Sequence, residues 1–500
     1  MNLSRRSFIK WVISAGAVAA CPWPMSAQAE PGRKKIPKGK LTSETNKVCH
    51  QVKDGHELPL PEPSAVHDIV IVGGGPSGLA AADEIQNSDF LLLEKENHVG
   101  GNAYTESWRG LNYSTGAAWA SIFSPEVDAI FKRWKFDMKL IKGVDAAYFN
   151  GVWVKDFWNG KVDNPNLDKL PYPDSVKESM REFCRHIGPI DIEQEKERLD
   201  RMPFSEILKN YTPELKAFWD AFGPSNWGAV SEDTSAYLGI QAARDWWQSE
   251  RYSFEGGMGM GSRKIYEHLS PEAQNRILLN AAVYKVRKQN GKVLVSYMLK
   301  GKPRTVQAKA VVMATPKFIT KYIVEDLPLD QVTAMGHVRF APFLVYNLCF
   351  NKVVYNQNYD NWIIGSKNLT DFIPADWVTH ADGGDLNRPQ IITVYAPKPE
   401  SLREDLLEDK KVLAMAKSAV EELTDLFPGW LKHLEEVRIY RRGHPMYMST
   451  PGFLTKIQPV AGRDFPPIYF AHSDSMGELS DLAYAGLSGI RAAQKAAKHI

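Results

Sequence analysis

The residues best suited to chemistry lie between Asp68 and Trp119. DIVIVGGGPSGLAAADEI is followed by LLLEKENHVGG and then by STGAAW. Gly73, Gly75 and Gly78 give the spacing G-x-G-x-x-G. In such a turn the first glycine permits the tight bend, the second lets the backbone approach a pyrophosphate, and the third lets a helix pack close to a strand. Glu94 follows about 20 residues after the turn, where a carboxylate can accept hydrogen bonds from ribose hydroxyls. An ordinary glycine turn leaves Glu94 unexplained, whereas a dinucleotide site accounts for both.

The flanking elements agree. Ile69 to Val72 is a short β-branched run, as a buried parallel strand requires. A helix starting near Pro76 aims its free N–H groups at the phosphates. Leu91 to Leu93 is the next strand, and Glu94 ends it. A second glycine turn, Gly100-Gly101, precedes Asn102. This pattern predicts an α/β protein with a Rossmann-type domain.

The continuation E-x5-G-G, from Glu94 to Gly101, resembles the second half of the fingerprint in the flavin-containing amine oxidase superfamily, which includes monoamine oxidases and phytoene desaturases. Gly116-Ala117-Ala118-Trp119 resembles that family's segment beside the flavin ring. Glu255 to Met258, Asn280 to Val283 and Ala310 to Pro316 resemble its second FAD segment, in which the residue matching Val283 contacts the adenine side through its backbone. Ile468 to Asp474 with Ala485 to Ala493 resembles the closing strand-turn-helix that binds the ribityl phosphate and flavin. The resemblance implies FAD as cofactor. Its binding residues would be Gly73, Gly75, Gly78, Glu94, Gly100, Gly101, Asn102, Ala117, Trp119, Val283, Asp474, Ala485 and Gly486. No cysteine falls in the closing segment, which implies non-covalent FAD. The implied architecture is a two-domain amine oxidase-like fold. A discontinuous FAD-binding domain covers 66–125, 255–325 and 440–500, and a mixed α+β substrate and helical lid domain covers 126–254 and 326–439.

A flavin takes a hydride from a C–H bond beside an amine nitrogen or an activating double bond, while the protein orients the carbon. For an amine, the neutral form reacts, so the site needs a desolvated pocket more than a strong base. The expected function is therefore amine dehydrogenation or oxidation of a small molecule, with no catalytic residue assigned. The chain departs from the family in three places. Phe343 to Phe350 contains no lysine, although many amine oxidases place one there beside the flavin. This favours a dehydrogenase or desaturase over a peroxide-producing oxidase. Tyr447 and Tyr484 are the candidates for the paired tyrosine walls. Asn102 stands where family arginines often follow the Gly-Gly pair. Glu94 to Glu106 also resembles UDP-galactopyranose mutases, but the residues of their sugar-diphosphate site are not recognisable downstream. The same residues are compatible with a desaturase-like oxidoreductase acting on a non-amine apolar substrate, and with a non-catalytic flavoprotein.

Ser4-Arg5-Arg6-Ser7-Phe8-Ile9-Lys10 matches the twin-arginine export signal, and the apolar run Trp11 to Ala20 is too short to span a bilayer. Ala27-Gln28-Ala29 is a cleavage site before Glu30, while Val18-Ala19-Ala20-Cys21 resembles a lipoprotein box. These residues predict a signal peptide over 1–29, a linker or arm over 30–65, and a periplasmic enzyme exported by the twin-arginine machinery. The lipoprotein box would instead give a form anchored by lipid at Cys21. Electrons would pass to a periplasmic cytochrome, a quinone or oxygen.

Of 500 residues, 44% are hydrophobic, enough for a packed core and more than one domain. Sixty-one basic and 59 acidic residues leave a net charge of +2, which points away from a nucleic-acid partner. Four cysteines, one of them in the signal region, argue against a disulfide framework. The histidines have no metal-ligand spacing, and Cys49-His50 reads as a surface dipeptide. Beyond Trp119, helical spacing and clustered aromatics such as Trp219, Trp227, Trp246 and Trp247 predict a helical domain with an aromatic core. A sharper reading has one or two of these rings lining a substrate cavity. After Pro316, Phe343 to Phe350 and Gln390 to Tyr395 predict strands that floor such a cavity, and Val412 to Leu426 predicts an amphipathic helix.

Overall fold

Strand segments of two kinds, one buried on both faces and one alternating, sort into two main sheets in the computed structural model, which describes residues 35–245, 250–380 and 383–500. Pro37–Ile500 form one folded unit. The twin-arginine motif, the apolar run after it, Cys21 and both processing sites lie outside the described residues, as do Trp246 and Trp247.

The first sheet has seven strands. Its parallel part runs Ile277–Leu278, Phe90–Leu93, Val66–Val72 and Lys302–Met313, with Ile468–Phe470 also paired to the last. Ile69 and Ile71 pack into one core with Ala492 and Ala493. Val70 and Val72 pack into another with Ile319 and Ile323. Burial on both faces explains why this strand reads as a continuous apolar run. Helix Pro76–Glu84 starts directly after the glycine turn, with proline at its first position. The last helix, Leu482–Ala497, is capped by Asp481, which accepts from the Ala483 N–H at 2.6 Å. It crosses the first helix at Gly489, where a Cβ would collide with the Ser77 carbonyl.

The second sheet has eight strands: β1 (Lys40–Ser43), β2 (Ala146–Phe149), β3 (Val152–Lys155), β4 (Phe340–Phe350), β5 (Asn361–Ile363), β6 (Asp371–Pro374), β7 (Gln390–Pro397) and β8 (Leu434–Tyr447). Their spatial order is β1-β8-β4-β7-β6-β5-β2-β3. Every residue of β4 is buried. Val345 on β4 lies opposite Tyr395 on β7 and Tyr440 on β8, and Tyr395 lies opposite Asp371 on β6. Directly opposed residues share a face, so Tyr440, Val345, Tyr395 and Asp371 form one row across four strands. At about 4.8 Å per strand the row spans roughly 14 Å.

Strand β1 comes from the N-terminal arm and pairs in parallel with Arg438–Arg441 of β8. Thr45 then donates to Glu96 through its N–H at 2.8 Å and its hydroxyl at 2.7 Å. The arm thus joins the end of the first sheet to the edge of the second. Helices Asp174–Ile187, Pro213–Trp227 and Ala236–Asp245 enclose an aromatic core. Trp219 and Trp227 are buried in that core with Trp158 and Phe218 and are not among the residues lining the large cavity described below. Among the described residues, no helix is long and apolar enough to cross a membrane.

Candidate active site

The two glycine turns face each other at the ends of the parallel strands. Gly100 N–H donates to the Gly74 carbonyl at 2.9 Å, and a Cβ on Gly101 would lie 3.2 Å from the Gly75 Cα. Gly101 adopts a left-handed φ of 54°, a conformation that glycine reaches without strain. At Gly78 a Cβ would collide with the Gly73 carbonyl oxygen, so the helix can sit on the turn only with glycine there. Glu94 closes the slot. Its carboxylate is buried and accepts from Gly74 N–H at 2.6 Å and Glu96 N–H at 2.8 Å. Burial raises its pKa, and these two N–H groups oppose the rise.

These residues fit a dinucleotide. The Ser77 hydroxyl, in the first turn of helix Pro76–Glu84, is buried without a partner among the described residues. A helix N-terminus with free N–H groups and an unused hydroxyl suits a phosphate. The other sequence-predicted residues sit around this slot or further along. Val283 lies on the strand Ala281–Gln289, whose first residue, Ala281, donates its N–H to the Glu94 carbonyl at 2.8 Å. Asn102, Ala117 and Trp119 line a cavity of about 500 Å³ that lies on the second sheet. Ala485 and Gly486 lie in the first turns of the last helix, where a Cβ on Gly486 would meet the Trp134 ring at 2.8 Å. Asp474 is fully buried, and its carboxylate is taken up by Lys317. It accepts from the Lys317 N–H and from Nζ, both at 2.8 Å. Burial alone would raise its pKa, but His472 and Lys317 outweigh that and hold it well below the usual carboxylate range.

The cavity's floor is the row on the second sheet, and its walls include Phe123, Tyr237 and Tyr484. Tyr484 packs on Phe123 with centroids 4.8 Å apart. Tyr447, the other expected wall, is instead buried in the core and donates to the Leu479 carbonyl at 2.5 Å. Three groups in the cavity carry no signal strong enough to single them out in the sequence. Arg442 of β8 reaches over the segment 116–119. Its guanidinium donates to the Thr115 carbonyl at 2.8 Å and hydroxyl at 2.9 Å, and a Cβ on Gly116 would touch it. Burial lowers its pKa. An arginine thus reaches the position beside Asn102 from a distant strand. Asp360 and Asp371 are the other two, both buried and both on the cavity surface. In all, five carboxyl side chains line the cavity (Glu193, Asp360, Asp371, Glu478 and Asp481) against one guanidinium, among the described residues.

The model of the family described as flavin containing amine oxidoreductase matches residues 76–497. An oxidoreductase, PigB, from Serratia sp. is 22% identical over 85% of this chain and 74% of its own length. Pseudooxynicotine dehydrogenase from Pseudomonas sp. is 24% identical over 56% of this chain and 54% of its own, so the chain spans about half of that relative. Among solved structures, cyclohexylamine oxidase from Brevibacterium oxydans superposes with a TM-score of 0.66 at 15% identity, covering 86% of this chain and 99% of that one. Putrescine oxidase with bound putrescine gives 0.62 at 16% identity, over 86% and 99%. At that identity the likeness establishes the two-domain fold.

Proposed function

We infer the reaction from a fixed premise, that the chain belongs to the flavin containing amine oxidoreductases and is an FAD-dependent oxidoreductase. The proposal is that it oxidises a small cationic amine. The observation that carries this is the excess of carboxyl groups in the cavity, five against one guanidinium. Such a lining draws in and desolvates a cation and disfavours an anion or a neutral hydrocarbon. It therefore argues against a nucleotide-sugar isomerase and against a wholly apolar desaturase substrate.

FAD, when bound, supplies the acceptor for a hydride from the carbon beside the amine nitrogen. In this reading Gly73, Gly75, Gly78, Ser77 and Glu94 hold the adenosine and pyrophosphate end. Gly100, Gly101, Asn102, Ala117, Trp119 and Arg442 border the flavin end. Val283 sits near the adenine side, and Ala485 and Gly486 open the helix that closes the site. Asp474 acts by fixing the turn before that helix through Lys317. The aromatic walls exclude water from the reacting carbon. None of Cys49, Cys184 and Cys349 lines the cavity, which supports non-covalent FAD. The export motif supports a periplasmic enzyme carried by the twin-arginine machinery. The acceptor of the electrons is then a periplasmic cytochrome, a quinone or oxygen, and the absence of lysine from Phe343–Phe350 favours the first two.

The test is anaerobic addition of monoamines, diamines, cyclic amines and L-amino acids to the purified holoenzyme. Loss of the oxidised-flavin absorbance with one class of amine is the expected result. No loss with any amine, in a protein that dithionite still reduces, overturns the proposal.

A further inference from the structure

The arm that precedes the glycine turn lies outside residues 76–497, the span the family model matches. Its strand β1 borders the second sheet, where Leu41 lies opposite Ile439 and Ser43 opposite Arg441. The Ser43 hydroxyl accepts from Arg441 Nε at 2.8 Å. The next two residues each meet a charged group. Glu44 comes within 3.9 Å of Arg442 Nε. Among the described residues it is the one carboxylate that close to this guanidinium, whose other partners, the Thr115 carbonyl and hydroxyl, are neutral. Thr45 donates twice to the carboxylate of Glu96, two residues beyond Glu94. An ion pair at 3.9 Å on a half-exposed carboxylate is weak by itself, whereas bonds donated to a carboxylate are among the stronger ones. The Thr45–Glu96 contact is therefore the main fastening.

After Thr45 the chain enters helix Lys47–Lys53. This helix packs against strand Ala281–Gln289, which carries Val283, and against helix Lys317–Ile323, whose first residue donates to Asp474. Its Cys49 and Val52 lie against the core that contains Val72, Val283 and Phe470. Further on, the Pro59 carbonyl accepts from the Tyr284 hydroxyl, and Gln307 donates its N–H to the Ala65 carbonyl at 2.9 Å. The arm thus meets three parts of the cofactor site named above. It reaches the Glu94 segment through Glu96, the adenine side through the Val283 strand, and the flavin end through Arg442. Thr42 to Lys47 are exposed, so the β1 pairing and the contacts of Ser43, Glu44 and Thr45 are what fasten this stretch.

We propose that residues 40–53 are a strap that retains FAD: Thr45 on Glu96 and Glu44 on Arg442 fasten the arm at the two ends of the cofactor site, and FAD leaves only after the arm has lifted. The strap rests on the assignment of Glu94 and Arg442 to the FAD site above. The coupling runs both ways. If docking of the arm tightens FAD binding by a given factor, bound FAD stabilises the docked arm by the same factor.

The experiment follows the cofactor and the arm separately. Release of FAD from the holoenzyme is timed by trapping the freed FAD with an excess of an apo-flavoprotein, in the wild type and in Thr45→Val, Glu44→Gln and Glu94→Ala. Backbone amide hydrogen exchange over residues 40–53 is compared in the unmutated protein with and without FAD. Thr45→Val, which deletes one bond to a carboxylate, should speed release about tenfold, and Glu44→Gln should speed it less. The amides of the arm should exchange at least about tenfold faster once FAD is removed. Release at the wild-type rate in both arm variants, or equal exchange with and without FAD, overturns the strap. Glu94→Ala should speed release whether or not the arm matters. If it does so while the arm variants do not, the site assignment stands and the strap falls. If it does not, the site assignment falls and the strap with it. The exchange comparison needs no variant, so a poorly folding substitution does not blunt the test.

Discussion

Asp371 places a measurable demand on the protein. Burial raises its pKa to about 7, and burial raises Asp360 as well, with Asp371 and Asp145 adding to the rise and Arg251 opposing it. An unfolded aspartate titrates near 3.9, so the folded state holds the proton more tightly. The stability from this group is then full below about pH 4 and is lost as pH rises through about 7. Tyr359 and Tyr395 face the same carboxyls, but burial raises both phenols, so they stay neutral throughout this window. In Asp371→Asn the group cannot ionise. Its melting temperature without amine should gain on the wild type as pH rises from 4 to 8, and a pH-independent difference would contradict the assignment. Asp360 and Asp371 were legible only indirectly in the sequence. Asp360 stands just before the short strand Asn361-Trp362-Ile363, and Asp371 opens Asp371-Phe372-Ile373-Pro374. A carboxyl at the start of a buried strand is expensive, and that expense was the available signal. Arg442 offered none, because a basic pair in a strand looks the same whether it faces solvent or a cofactor.

The elements were legible where periodicity and glycine chemistry agree. Val66–Val72, the glycine turn and Pro76–Glu84 follow the sequence expectation closely. So do the strands β4 and β7 and the amphipathic helix Asp409–Leu426. The lateral order of the second sheet was not legible. Strands β5, β6 and β7 come from one stretch of chain, but β1 lies near the start of the chain and its partner β8 near the end. Local sequence does not encode so long a pairing. The expected domain boundary at 440 falls inside β8 for the same reason. The buried pair Lys317–Asp474 links the exit of the Lys302–Met313 strand to the turn before the last helix, with both side chains fully buried. Removing one member strands the other charge in the core. Asp474→Asn should therefore lower the unfolding free energy by about 3–5 kcal/mol, measured by denaturant titration of the holoenzyme. An unchanged midpoint would show that the pair does not hold this turn.

At the scale of the molecule, the two sheets carry different tasks: the glycine turns follow strands of the first, and the cavity lies on the second. The seven-stranded sheet presents glycine turns and a buried glutamate, and the eight-stranded sheet presents a row ending in paired carboxyls. The N-terminal arm crosses between them, bonded to β8 at one point and to Glu96 at another. The family and the cofactor could be recognised chiefly from the residues up to Trp119, because backbone approach to a phosphate demands glycine at fixed spacing. The substrate end could not, since its residues come from β4, β6, β7 and β8 and converge only on folding. The central claim, that this cavity strips hydride from a carbon beside an amine nitrogen, has one direct measurement. It is the anaerobic rate of flavin bleaching with an amine and with the same amine deuterated at that carbon. The account predicts bleaching that the deuterium slows. Bleaching at the same rate with both compounds would place the rate-limiting bond elsewhere, and no bleaching with any amine would contradict the account outright.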